Sequence, residues 1–243
     1  MHGGRVEPRG TVGDADVARA VLRRGFHEPR DFRHGGIAPR VRDADVDRTL
    51  FAIGRDDPVA HLQRLAREGQ RPVAADIGTG SGAIAIALAV NAPEVTIYAT
   101  DVSSACIEVA EKNIWRYGVA EQVHLMPGHL MDCLPEPVDV VVANLPYIAT
   151  ADLTGLPAQV RDFEPVLALD GGEDGCDVLR GLVSSLASPH GRAKLKPGAV
   201  VFLEIGADQG ATMRAVVNEF LPGSACNVLV DYTGLDRIVA ITV

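Results

Sequence analysis

Long apolar runs are missing from this chain of 243 residues. The longest, Ala83 to Val90, falls well short of the roughly 20 residues a helix needs to cross a bilayer. The first ten residues, MHGGRVEPRG, hold no apolar core of a signal peptide, so no secretory signal is expected. Cysteine is scarce. Cys106, Cys133, Cys176 and Cys226 are scattered, with no C-x-x-C pair, which predicts reduced, buried thiols in a cytoplasmic protein and no metal site. Positive charge is also thin over most of the chain. Residues 1–50 carry ten Arg against eight acids, whereas the remainder carries 13 basic against 24 acidic residues. An acidic body repels a phosphate backbone, which disfavours nucleic acid as a direct substrate.

What is present reads as an ordinary globular composition, 47% hydrophobic and 23% charged, enough for one large domain or one domain with an appendage. Residues 1–57 form a short N-terminal segment rich in Gly, Arg, Asp and Pro, where only DADVARAVLRRGF (Asp14 to Phe26) hints at a helix. From Pro58 the pattern sharpens. Val59, Leu62 and Leu65 share one helical face between Pro58 and Gly69. RPVAADIG, VTIYATD, QVHLMPG, VDVVVANLPY and GAVVFLEIG read as strands. Between and after them, SGAIAIALAVNA, SSACIEVAEKNIWRYG, CDVLRGLVSSLASPH and ATMRAVVNEFL read as helices, the first apolar on nearly all sides and so packed deep. The end, ACNVLVDYTGLDRIVAITV, predicts two strands joined by a turn near Thr233-Gly234, which forces them antiparallel. Alternating strands and helices predict an α/β fold with a mostly parallel sheet covered on both faces. Residues 58–243 form its single large domain.

The chemistry starts at DIGTGSG, which follows a strand and opens a helix. Gly78, Gly80 and Gly82 let the backbone approach a ligand, and the helix start behind them offers unpaired N–H groups. The spacing is not that of a dinucleotide loop. Asp76, at the end of a buried strand, is costly there unless it meets a partner, and an ammonium group would serve. Asp101 ends the next strand, 25 residues on, where an acid can accept both hydroxyls of a ribose. By itself Asp101 reads equally as a cap for the following helix.

These residues, with ATDVSSACIEVAEKN, resemble the cofactor half of class I S-adenosylmethionine-dependent methyltransferases. The resemblance implies a seven-stranded, Rossmann-like sheet with its last strand antiparallel. It also implies that the loop from Gly78 through Thr79 and Gly80 to Gly82 surrounds the methionine part of S-adenosyl-L-methionine. Asp101 and Val102 would lie at the ribose, and Gly128-His129-Leu130 would line the adenine. His129 stands where the family pattern commonly has an acid, and it reads equally as a solvent-facing loop residue.

NLPY, Asn144 to Tyr147, ends the fourth strand, on the side where open α/β sheets bind ligands. An amide nitrogen is planar and weakly nucleophilic. The Asn144 side-chain oxygen can accept one of its N–H groups and the Leu145 carbonyl the other. Pro146 brings no competing donor, and Tyr147 can lie over the flat amide. In isolation the four residues are also a plain turn with a packed Tyr. The tetrapeptide is similar to the N-P-P-Y signature of amino methyltransferases, and N-L-P-Y occurs in a family that dimethylates adenine in ribosomal RNA.

FEPVLALDGGEDGCDVLRGLV (Phe163 to Val183), LKPGAVVFLEIGADQG (Leu195 to Gly210) and GLDRIVAI resemble the bacterial peptide-chain release factor glutamine methyltransferases over residues 58–243. That family methylates the side-chain amide of the glutamine in a Gly-Gly-Gln loop, so the expected partner is a release factor. Asn144, Leu145, Pro146, Tyr147 and Glu164 are the expected substrate contacts, with Glu164 meeting either a backbone N–H or an exposed ion-pair partner. At the front, Pro39-Arg40 persists without a following Thr-Glu, which reads as the remnant of a docking domain. Three other readings share the same residues: a ribosomal-protein glutamine methyltransferase, an adenine amino methyltransferase on RNA or DNA, and a non-catalytic protein that only holds the cofactor.

Overall fold

The computed structural model describes residues 57–231 and 233–243. The helix hinted at Asp14–Phe26 and the Pro39-Arg40 segment lie outside them. The first described helix, α1 (Pro58–Arg67), starts where Asp57 Oδ1 accepts from the Ala60 N–H at 2.7 Å. Asp57 and Pro58 together fix that start, since proline needs no donor at the first helical position. Val59, Leu62 and Leu65 are buried, as their spacing predicts.

Seven strands follow: β1 (Val73–Ile77), β2 (Thr96–Asp101), β3 (Val123–Pro127), β4 (Val138–Ala143), β5 (Leu195–Glu204), β6 (Ala225–Val230) and β7 (Asp236–Thr242). They form one sheet in the order β3-β2-β1-β4-β5-β7-β6. The first five are parallel, and β7 runs antiparallel to both β5 and β6. Every residue of β1 and β4 is buried, as befits strands covered on both faces. The chain order reverses between β1 and β4, so their carboxyl ends flank the crevice where such sheets bind ligands.

Two apolar layers sandwich the sheet. On one face α2 (Ala83–Asn91) and α3 (Ser104–Tyr117) bring Ile86, Leu88, Ala110 and Ile114 against Ala74, Ile97 and Val140. On the other, α5 (Asp177–Ala187) and α7 (Gly210–Phe220) bring Leu179, Leu182, Met213 and Val217 against Val141, Leu203 and Val239. Val140 and Val141 thus face opposite layers, the alternation a pleated strand imposes.

Two expectations change. The helix predicted from Cys176 to His190 is broken. Ser188 turns extended (ψ 155°), ending α5, and its Oγ accepts from the Gly191 N–H at 3.0 Å to start α6 (Pro189–Arg192). Pro189 is the cause, because it disfavours a helical residue before it and supplies no N–H. Of the four thiols only Cys176 is buried. The others are half-buried, Cys106 in the first turn of α3 and Cys226 on the edge strand β6. Between β4 and α5 the chain makes a 3-10 turn (Thr150–Gly155), the four-residue α4 (Ala158–Arg161) and a second 3-10 turn (Val166–Ala168).

Candidate active site

Asp76 sits at the end of β1 and is wholly buried. Its Oδ2 accepts from Thr79 Oγ1 at 2.7 Å and from the Ala85 N–H at 3.1 Å in the first turn of α2. Its Oδ1 is buried and meets no partner among the described residues. Burial pushes the carboxyl up to about 7, against the opposing pull of those two hydrogen bonds, and Asp101 adds a smaller like-charge push. A buried carboxyl of this kind has one oxygen free to take a further partner.

The glycine loop between them is left-handed at Gly78, Gly80 and Gly82. Two of these positions matter sterically. A Cβ on Gly78 would come within 2.6 Å of Leu145 Cδ2, so glycine is what lets this loop pack on NLPY. A Cβ on Gly80 would meet nothing within 4 Å, which leaves an open cradle above the loop. The Gly80 N–H donates to Asp101 Oδ2 at 2.9 Å, and the Ser103 N–H donates to Asp101 Oδ1 at 2.9 Å. The cap of α3 is Ser103, whose Oγ accepts from the Cys106 N–H at 3.3 Å. Asp101 is therefore no helix cap; it joins the first glycine loop to the end of β2. Each of its oxygens has a further lone pair.

Val102 follows on the surface, 60% exposed. The Gly128 N–H donates to the Asp101 carbonyl at 3.0 Å, which draws the loop after β3 alongside. Leu130 takes a φ of +47°, rare for a side chain of its bulk, and its carbonyl accepts from buried Thr100 Oγ1 at 3.1 Å. His129 is largely at the surface, with 71% of its side chain exposed and Nδ1 4.0 Å from Asp132 Oδ2.

At the end of β4, Asn144 is half-buried, and its Oδ1 is buried without a hydrogen-bond partner among the described residues. Leu145 and Tyr147 are buried and Pro146 half-buried. The Tyr147 hydroxyl donates to Glu204 Oε1 at 3.3 Å, and its carbonyl accepts from Gln209 Nε2 at 2.8 Å. Glu164 is 6% exposed, so its carboxyl lies inside the fold rather than at the surface.

Three groups escape a reading of the sequence. Asn113 Nδ2 donates to the Ser81 carbonyl at 2.8 Å and ties α3 to the first glycine loop. Glu204 and Gln209 reach the NLPY turn from 57 and 62 residues away. The only signal for the latter pair is their place in LEIGADQG, at a carboxyl strand end. Among the described residues no cluster of His, Cys, Asp or Glu could hold a metal ion, and no helix is long and apolar enough to cross a membrane.

Comparison with known proteins accords with this arrangement. Residues 58–156 match the family model for ribosomal protein L11 methyltransferase (PrmA). Among solved structures, the hMettl16 catalytic domain in complex with the MAT2A 3'UTR hairpin 6 superposes with a TM-score of 0.58 at 15% identity, covering 75% of this chain and 68% of that one. A methyltransferase from Pyrococcus furiosus superposes with a TM-score of 0.50 at 20% identity, covering 74% and 80%. At such identities these structures speak for the fold, that of class I methyltransferases. Curated relatives are nearer. A release factor glutamine methyltransferase from Moorella thermoacetica is 46% identical over 164 residues, which span 67% of this chain and 56% of that protein. One from Gloeobacter violaceus is 42% identical over 165 residues, spanning 68% and 56%. The match to these two thus covers little more than half their length. The relative from Geobacter sulfurreducens is 34% identical over 222 residues, spanning 90% of this chain and 75% of its own length. With that coverage joined to the NLPY turn and the glycine loop packed upon it, the chain belongs to the release factor glutamine methyltransferase family.

Proposed function

We propose that this protein transfers a methyl group from S-adenosyl-L-methionine to the side-chain amide nitrogen of the glutamine in the Gly-Gly-Gln loop of peptide-chain release factors. The observation that carries the reading is Asn144 Oδ1. It is a buried acceptor with nothing to accept from among the described residues, and it stands one residue from the Leu145 side chain against which Gly78 packs. A buried oxygen left open in this way costs stability unless a ligand N–H completes it.

The residues present fit the cofactor. The open Asp76 Oδ1 suits its ammonium group, and the cradle over Gly80 leaves room beside Thr79 and Gly82. Asp101 and Val102 would hold the ribose, and Gly128, His129 and Leu130 would border the adenine. When bound, this cofactor supplies an electrophilic methyl group on a sulfonium sulfur.

The chain's own part is positioning. Asn144 Oδ1 accepts one N–H of the substrate carboxamide and the Leu145 carbonyl accepts the other, which fixes the plane of the amide and the direction of its nitrogen lone pair. Pro146 adds no donor to compete with that –NH2. Tyr147, anchored to Glu204, flanks the acceptor, and Glu164 is a further proposed substrate contact. No strong base is needed before attack, because the nitrogen becomes acidic only after it gains the methyl and then sheds a proton. Holding an amide in line in this manner is worth orders of magnitude in rate.

The test is transfer of label from S-adenosylmethionine to release factor, ribosomal protein or RNA offered separately. Label on the release factor glutamine, located by peptide mass, is expected. Label in RNA alone, in ribosomal protein alone, or cofactor binding with no transfer overturns the substrate assignment in three distinguishable ways.

A further inference from the structure

Asn144 has no side-chain tie of its own at Oδ1 among the described residues, so its aim depends on the backbone at either side. Upstream that backbone is β4, fixed by the sheet. Downstream it is Tyr147 and Ile148, fixed by groups far away in sequence. The Gly171 N–H donates to the Ile148 carbonyl at 2.8 Å, the Ile148 N–H to the Leu169 carbonyl at 3.1 Å, and the Thr150 N–H to the Gly172 carbonyl at 2.9 Å. One buried side chain closes the set. Gln209, 8% exposed, precedes α7. Its Oε1 accepts from the Gly206 N–H at 2.8 Å while its Nε2 donates to the Tyr147 carbonyl at 2.8 Å. Its carboxamide therefore bridges the β5–α7 turn to the last residue of NLPY. The junction is tight: a Cβ on Gly175 would lie 2.5 Å from the Tyr147 oxygen and 2.7 Å from Gln209 Nε2.

We infer that Gln209 is a positioning residue for methyl transfer. By donating to the Tyr147 carbonyl it fixes the turn that presents Asn144 Oδ1 and the Leu145 carbonyl. It also occupies the Tyr147 carbonyl, so the substrate –NH2 finds only the two intended acceptors. Gln209 acts through the backbone rather than on the substrate. The catalytic consequence rests on the acceptor role proposed for Asn144; the mechanical one does not.

The test compares Gln209→Met, which keeps the length of the side chain without its hydrogen bonds, with Gln209→Glu. In the latter, the introduced carboxylate still accepts from Gly206 when ionised but cannot donate to Tyr147, whereas its protonated form can. Amide hydrogen exchange over residues 145–150 is expected to quicken about tenfold in Gln209→Met, with β1 and β4 unchanged. Cofactor affinity should stay within about twofold while kcat on release factor falls about 10- to 100-fold. In Gln209→Glu the ratio of kcat to that of the unaltered protein should rise as pH falls, since protonation restores the donor. Unchanged exchange over 145–150 in both variants overturns the inference. So does faster exchange spread evenly through the sheet with kcat per folded molecule intact, which marks Gln209 as ordinary core. If the unaltered protein methylates no release factor, the substrate reading fails, and local exchange at 145–150 still decides the clamp. Should Gln209→Met not fold, Gln209→Glu carries the same readouts.

Discussion

The two halves of the crevice are built on different principles. On the side proposed for the cofactor, the buried Asp76 carboxyl is served by Thr79 and Ala85, three and nine residues away. Strand, loop and helix there form one local unit that carries its own hydrogen bonds. On the side proposed for the acceptor, the NLPY turn is held by Glu204 and Gln209, 57 and 62 residues downstream of Tyr147, and by the backbone around Gly171 to Gly175. The Asp76 carboxyl is thus served by neighbours in sequence, with Asp101 and Asn113 tying its loop from 21 and 32 residues away, whereas the NLPY turn is held by the sheet that brings distant turns together. It follows that damage to the first should show as lost cofactor affinity, and damage to the second as lost turnover or stability with the cofactor still bound.

The sharpest contrast is expected from Asn144→Ala. It removes one of the two acceptors proposed for the substrate amide, outside the glycine loop. Turnover should fall about 100- to 1,000-fold, the scale of losing one preorganised polar contact at the reacting group, while cofactor affinity measured by calorimetry changes less than about threefold. A loss of affinity as large as the loss of rate would erase the division between the halves.

Gly175→Ala tests how rigidly the acceptor side is packed. The position has φ of +73°, and its new methyl would meet the Tyr147 carbonyl. Urea unfolding should show a loss of about 2–4 kcal/mol from the left-handed strain and the clash together. Gly69→Ala is equally left-handed at φ of +79° but opens onto space, so it should lose only about 1–2 kcal/mol. Equal losses would mean that crowding at Tyr147 contributes nothing.

The cofactor side should respond to pH instead. The Asp76 carboxyl, raised to about 7, is still protonated in the free fold where an unfolded Asp has already ionised. The unfolded chain therefore binds fewer protons between the ordinary carboxylate range and about pH 7, and this group withdraws stability from the free protein as pH rises through that window. A cationic ligand prefers the ionised form. Cofactor binding should accordingly take up the opposite dependence, weakening as pH falls below about 7 with release of a proton on binding. Asp76→Asn should bind more weakly and lose this part of both pH profiles; calorimetry in buffers of different ionisation enthalpy measures the proton. An unchanged profile would remove Asp76 from the ammonium site.

The smallest effect is set far from either half. Ser188→Ala deletes the cap of α6 and should lower stability by about 1 kcal/mol in thermal or urea unfolding, with turnover and cofactor affinity unaltered.

Several elements of the chain are legible because short-range physics governs them. The largely apolar stretches of β1 and β4, each carrying one Asp, alternate with helices and so predict strands covered on both faces, and Gly78, Gly80 and Gly82 predict a loop that opens α2, because left-handed backbone favours glycine. The short turn between β6 and β7 predicts their antiparallel pairing. The break at Ser188 is hidden although Pro189 announces it, since an apolar period running through the segment masks the missing donor. Asp101 is open between cap and ligand residue on sequence alone, and the carboxylate's bonds to Gly80 and Ser103 settle that it is not the cap.

Sequence alone determined the order of the seven strands and the long helices between them, the glycine turn with its buried acid, and the place of the NLPY turn at a strand end. Each follows from patterns within about ten residues, where backbone preference and apolar spacing act. Only the tertiary structure decided that Gly78 packs on Leu145, that Glu164 is buried, and that Gln209 grips Tyr147. Those contacts join residues that the chain keeps far apart, and nothing in local conformation says which distant donor will meet which carbonyl until the sheet has closed.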